Sequence, residues 1–253
     1  MKKTPFVLLL LVLTSTVLMA QNKRQVLFDF RVPSAASFPK ISAATERHVL
    51  SKVFKKYLTD ENKCNQRFDT GGDVDPLQAA RNAGQIVPSI QDMAQGSFTR
   101  KGVLETAYVI FVGECNASHA QNFGTKRLAI FAGQQLVADM DVDFKNSIVK
   151  QTDLNGDGIV ELLMTTGDMA QGTLIEIAAL MDFEAGKVRV IEDLGTVVED
   201  SCASGNPGSS SKRSVVSVVG GERGKFPRLR IDNYEAGCRN TKRWRFVSTG
   251  RMQ

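Results

Sequence analysis

Asp153-Leu154-Asn155-Gly156-Asp157-Gly158-Ile159-Val160-Glu161 sets oxygen side chains at positions 1, 3 and 5, a glycine at 6, a backbone carbonyl at 7 and a carboxylate at 9. The glycine permits a tight turn, and the oxygens are of the hard kind that wraps Ca2+. A turn rich in Asp and Gly that binds nothing is the competing reading. A strand pattern follows, over 159–165. Sliding the chain against itself by 56 residues lays Ser97-Phe98-Thr99-Arg100-Lys101-Gly102-Val103-Leu104-Glu105 over this stretch and keeps the glycine, the apolar pair and the glutamate. In that copy two acids have become Ser97 and Lys101, so the Lys101 ammonium is expected to take the ion's place and bond Glu105 and loop carbonyls. The hairpins around Gly133 and Gly186 correspond roughly, which makes two divergent repeats, about 96–150 and 152–200.

An EF-hand needs a bidentate Glu at position 12, but Met164 stands there and no helix follows, so that motif is excluded. The stretch resembles the Ca2+ loop of FG-GAP and VCBS repeats in integrin-type β-propellers, D-x-[DN]-x-D-G-x-x-D before a strand. The likeness covers Asp153 to Leu163 only, with Glu161 where the family usually has Asp. It implies Asp153, Asn155, Asp157, the Ile159 carbonyl and Glu161 as ligands and Ca2+ as the cofactor.

Outward from the loop, strand signals recur at 106–112, 127–131, 136–143, 174–183, 188–192, 214–219, 229–234 and 243–247, separated by Gly, Asn or Asp. The expected fold is therefore mainly β, with antiparallel hairpins forming a partial propeller or a sandwich. Upstream, residues 26–30 form a short apolar run. Val49, Leu50, Val53, Phe54, Tyr57 and Leu58 then line one face of an amphipathic helix with Ser42 as its N-cap. Residues 60–75 are a polar loop, 76–83 a possible short helix, and 204–211 a flexible loop. The division is a helix-containing segment 21–95 and a β domain 96–253 whose last part, 201–253, is basic.

Residues 1–20 read as a signal peptide: Lys2 and Lys3, an apolar run 6–19, then Ala20. The run is shorter than the ~20 residues of a membrane span. A secreted or periplasmic chain with four cysteines is expected to form two disulfides; of the three connectivities, the favoured one is Cys64 with Cys115 and Cys202 with Cys238, the second bracketing the basic C-terminal segment. The absence of CxxC, with only two histidines, excludes a zinc site.

The 253-residue chain is 42% hydrophobic, which excludes a fibrous or wholly disordered protein, and it carries a formal charge of +5. From Ser201 onward eleven Lys and Arg face three acids. Arg228 and Arg230 flank Leu229; Arg243 and Arg245 alternate with Trp244 and Phe246. If paired, these strands turn their aromatics to the core and build a basic stripe suited to phosphates or carboxylates. Asp139, Asp141 and Asp143 alternate along another strand, as a solvated edge or as partners of the basic strands or a second cation. His48 and His119 have no recognisable catalytic partners, and no nucleophile elbow or HExxH motif is present.

Composition and motifs together lead to a non-enzymatic, calcium-stabilised secreted module with an anionic envelope component, glycan or protein as partner. Secretion and few aromatics in the tail argue against nucleic acid. The alternatives are an extracellular hydrolase using a carboxylate pair and a structural or inhibitory partner of another secreted protein.

Overall fold

The computed structural model describes residues 24–33, 40–54, 88–111, 126–142, 147–184 and 187–251. The leader, Tyr57, Leu58, Cys64, Cys115, His119, Asp143 and the expected helix over 76–83 lie outside them.

Among the described residues the chain is mainly β and antiparallel, with one α-helix. Its elements are β1 (Gln25–Asp29), α1 (Ala43–Val53), β2 (Ser89–Gly96), β3 (Glu105–Phe111), β4 (Lys126–Ala132), β5 (Gln135–Asp141), β6 (Ser147–Thr152), β7 (Glu161–Ala170), β8 (Thr173–Glu184), β9 (Lys187–Asp200), β10 (Ser210–Val219), β11 (Arg228–Gly237) and β12 (Arg245–Arg251). Strands β2 to β5 form a four-stranded meander. Strands β6 to β12 follow one another across a second sheet, with β1 added on β10.

Alternation along the strands explains the layering. In β3, Ala107 and Val109 face one apolar cluster while Tyr108 and Ile110 face another; in β4, Leu128 and Ile130 alternate with Ala129 and Phe131 in the same way. A strand buried on both faces needs a layer on each side. One layer is α1, capped by Ser42, whose hydroxyl accepts from the Thr45 amide at 3.1 Å, and packed through Val49 and Leu50. The other is the second sheet, which contributes Leu162, Met164, Ala179 and Met181.

The opposite face of that second sheet, Leu163, Ala178 and Leu180, meets Leu27 and Phe30 beside β1, Val216 on β10, and Leu229 and Ile231 on β11. Register slips between β8 and β9 at Glu176/Ile177, Ala178/Ala179 and Leu180/Met181 increase the twist of this ribbon. The sheet thus coils: β1 touches β6, and the tip of the β10–β11 hairpin reaches the start of β7, where the Gly224 amide donates to the Asn155 carbonyl at 2.6 Å. The order through the molecule is α1, the β2–β5 meander, the β6–β9 meander, then the group β1, β10, β11 and β12.

Cys202 and Cys238 are bridged, tying the short turn Cys202–Ser204 to the end of β11. Asp139 and Asp141 lie on β5, an edge strand of its sheet, with Asp141 exposed, as the edge reading expects; both also bind Arg127 of neighbouring β4, at 2.7 and 3.1 Å, rather than the basic C-terminal strands. One expectation is corrected here. Phe246 does not enter the core; it is 52% exposed and stacks edge-on against Tyr234, because β12 is an edge strand. Among the described residues no helix is long and apolar enough to cross a membrane.

Candidate functional site

Residues 153–160 link β6 to β7, and Glu161 opens β7. The loop closes on itself through its own side chains. Asp153 accepts from the Gly156 and Gly158 amides at 2.7 and 2.9 Å, Asn155 from the Asp157 amide at 2.9 Å, and Asp157 from the Ile159 amide at 2.7 Å. These are the short-range bonds by which Asx side chains fold a turn. Gly158 carries φ +93°, and a Cβ there would come within 2.7 Å of the Lys101 side chain, so position 6 requires glycine on two grounds.

Carboxylate oxygens of Asp153, Asp157 and Glu161 all lie within 4.8 Å of one another. Asp153 and Asp157 are exposed, whereas Glu161 is fully buried and Asn155 is 7% exposed. One Glu161 oxygen, Oε2, accepts from the Leu154 amide at 2.6 Å; the other, Oε1, is buried with no hydrogen-bond partner. An unsatisfied buried carboxylate oxygen is costly. Burial pushes the Glu161 carboxyl up to about 7; the Leu154 amide opposes the shift, and the charges of Asp182, Asp157 and Asp153 add to it. Asn155 and the Ile159 carbonyl belong to the same turn. The donor set is all oxygen, anionic and partly preformed, which fits a hard divalent cation.

The corresponding loop before β3 is a natural control. Glu105 is buried like Glu161, and the Phe98 amide binds its Oε2 at 2.9 Å just as the Leu154 amide binds Glu161. Here the remaining lone pairs are served by the protein: the Thr99 amide donates to Oε2 at 2.7 Å, the Thr99 hydroxyl to Oε1 at 2.5 Å, and Arg100 stands 3.7 Å from Oε1. The expectation for Lys101 is overturned. Its ammonium donates to the Asp157 carbonyl of the other loop at 2.7 Å, because the two loops lie side by side and residues 56 apart are spatial neighbours. The Ile148 amide likewise donates to Asp92 at 2.7 Å, again 56 residues away. Thr99, Arg100 and Asp182 are site-defining residues that sequence reasoning missed. The 56-residue offset identified the first two as equivalents of Asn155 and Gly156 but carried no information on their contacts.

The basic face is rearranged relative to the expected stripe. Arg230 binds Asp232 at 2.9 Å, and Arg245 binds Glu235 at 2.9 Å. Asp232, 1% exposed, also takes Arg24 and the Thr249 hydroxyl. Burial alone would raise its carboxyl, but the bonds from Thr249 and Arg230 and the charge of Arg24 hold it below the usual range. Lys212 and Arg213 are matched to Glu199 and Asp200. Among the described residues no acid pairs with Arg228 or with Arg239, Lys242 and Arg243 in the exposed turn between β11 and β12, the turn that Cys238 fixes to Cys202. His48 has a structural partner, the Gln134 carbonyl at 3.0 Å. Compared with protein-family models, curated proteins and solved structures, the chain shows no match.

Proposed function

We propose that this chain is a secreted, non-enzymatic β module stabilised by one Ca2+ in the 153–161 loop, built from two divergent copies of an FG-GAP/VCBS-like unit. The observation that carries the reading is the orphaned Glu161 Oε1. Of two equivalent buried glutamates, one has a full set of protein donors and the other lacks a partner where two further carboxylates converge. A bound cation supplies the missing partner. Asp153, Asn155, Asp157, the Ile159 carbonyl and Glu161 would hold it, and the ion would supply charge neutralisation and loop rigidity. A carboxylate-pair hydrolase would need two acids facing a cleft, and the Asp153, Asp157 and Glu161 group gives it less support because Glu161 is fully buried.

Thermal unfolding of the oxidised protein with chelator and with about 1 mM Ca2+ tests the reading. A site binding at ~10 µM stabilises by about 2.7 kcal/mol, a rise of roughly 5 to 10 °C. Asp157→Ala is expected to lose the rise. An equal melting point in both conditions for the unaltered protein removes the ion from the account.

The anionic partner belongs to the same proposal, and the uncompensated charges favour the β11–β12 turn as its contact. Binding to a heparin matrix is expected to weaken with salt and to fall about tenfold or more on reversing Arg239, Lys242 and Arg243 to Glu. Unchanged elution of that variant would eliminate the turn as the contact.

A further inference from the structure

The Asp153 loop has two differently engaged sides. Its amides at Gly156, Asp157, Gly158 and Ile159 turn to the loop's own side chains. Its three consecutive carbonyls at 155–157 turn to other parts of the chain. Asn155 O accepts from the Gly224 amide at 2.6 Å and Gly156 O from Arg223 Nε at 3.4 Å, both at the tip of the β10–β11 hairpin. Asp157 O accepts from Lys101 Nζ at 2.7 Å, from the loop before β3. A further bond, Val160 N to Ser97 O at 2.8 Å, joins the two loops directly.

Any change in the loop's curvature moves these carbonyls, and conversely the hairpin tip helps to set the curvature. Residues 220–225 are exposed, and the bonds between Lys225 and Glu222, amide to carbonyl at 3.0 Å and side chain to side chain, join the tip only to itself. Among the described residues, the bonds of the tip that leave the hairpin go to the Asp153 loop.

We propose that the Asp153 loop is a joint in which a divalent cation held inside the loop and the β10–β11 hairpin docked outside it stabilise each other, so that ion occupancy governs the order of residues 220–227. This inference rests on the ion reading above. Linkage makes it reciprocal: the factor by which the ion favours docking equals the factor by which docking tightens the ion. Lys101 and the Gly224 amide act as positioning groups that touch no ion. Removing cations from the hairpin would by electrostatics alone strengthen Ca2+ binding, so a weakening on removal reports the docking itself.

The test combines calorimetric titration of the full oxidised chain with CaCl2 and amide hydrogen exchange with Ca2+ or chelator. Exchange over 220–227 is expected to slow about tenfold with Ca2+, while the Gly133–Gln134 turn, where the Gln134 carbonyl bonds His48, is unchanged. Replacing 221–226 by Asn-Gly is expected to weaken Ca2+ binding by a similar factor. Binding heat without slowed exchange at 220–227, or with unchanged affinity in the shortened hairpin, overturns the joint and leaves the ion reading intact. No binding heat in the unaltered protein overturns the ion reading and the joint with it.

Discussion

Replacing Glu161 by Gln is expected to stabilise the metal-free protein while abolishing its response to Ca2+. At pH 8 the buried carboxylate is ionised beside Asp153, Asp157 and Asp182, and its Oε1 has no donor. Glutamine still accepts from the Leu154 amide and brings N–H groups to the neighbouring carboxylates, for a gain of about 2 kcal/mol. The sign of the pH dependence follows from the raised folded value. The unfolded chain releases this proton near 4.5 and the folded one near 7, so the penalty is absent below 4.5, grows between the two, and is complete above 7. Metal-free Glu161→Gln and the unaltered protein are thus expected to converge in stability as pH falls toward 4.5. On the proposed ion reading the ionised form is needed for binding, so the Ca2+ stabilisation is expected to be full above pH 7 and to shrink toward pH 5. Calorimetric melts at pH 5, 6, 7 and 8 measure both trends. A Ca2+ response that persists in Glu161→Gln takes this residue out of the ligand set.

The second large effect lies at Cys202 and Cys238, which are 36 residues apart and close a loop containing the whole β10–β11 hairpin. Replacing both by Ala relaxes the unfolded chain and is expected to lower stability by about 4 kcal/mol, roughly 10 °C in melting temperature. The loss has a local focus. The turn Cys202–Ser204 packs so closely on the β7–β8 hairpin that a Cβ on Gly172 would fall 2.7 Å from the Ser204 backbone. Denaturant melts of the double variant in oxidising buffer check the magnitude, and a loss below about 1 kcal/mol would mean the β10–β11 strand pairing already fixes this end of the sheet.

How much of this was legible in the sequence depends on where each element sits. β3, β4, β7 and β8 have apolar residues on both faces, and their runs stand out. β2 and β6 were not recognised, because SIQDMAQG and SIVKQT are the outer strands of their meanders, with few buried positions and no clean alternation. The Asp153 loop was legible because much of its chemistry is local: the bonds that the Asp153, Asn155 and Asp157 side chains accept from loop amides span five residues or fewer. Lys101 was misassigned because an internal offset reports equivalence, whereas the bond it makes is between the copies. The basic stripe failed for a related reason. Alternation assigns Arg230 and Arg245 to faces, but the acids that neutralise them, Asp232 and Glu235, lie on the same strand or on the one beside it. The contribution of Gly224 to the site could not be read at all, since it depends on how a seven-strand ribbon coils.

β1 pairs with β10 across most of the length of the chain, Val26 opposite Ser217 and Phe28 opposite Val216. Synthesis runs from the N-terminus, so this strand emerges first and waits for its partner until most of the protein has been made. During that interval an apolar segment, Val-Leu-Phe, has no native neighbour, and closing so long a loop is entropically slow. The last group of strands can therefore close only after β10 has been made, and until then its first member is open to aggregation or capture by a chaperone.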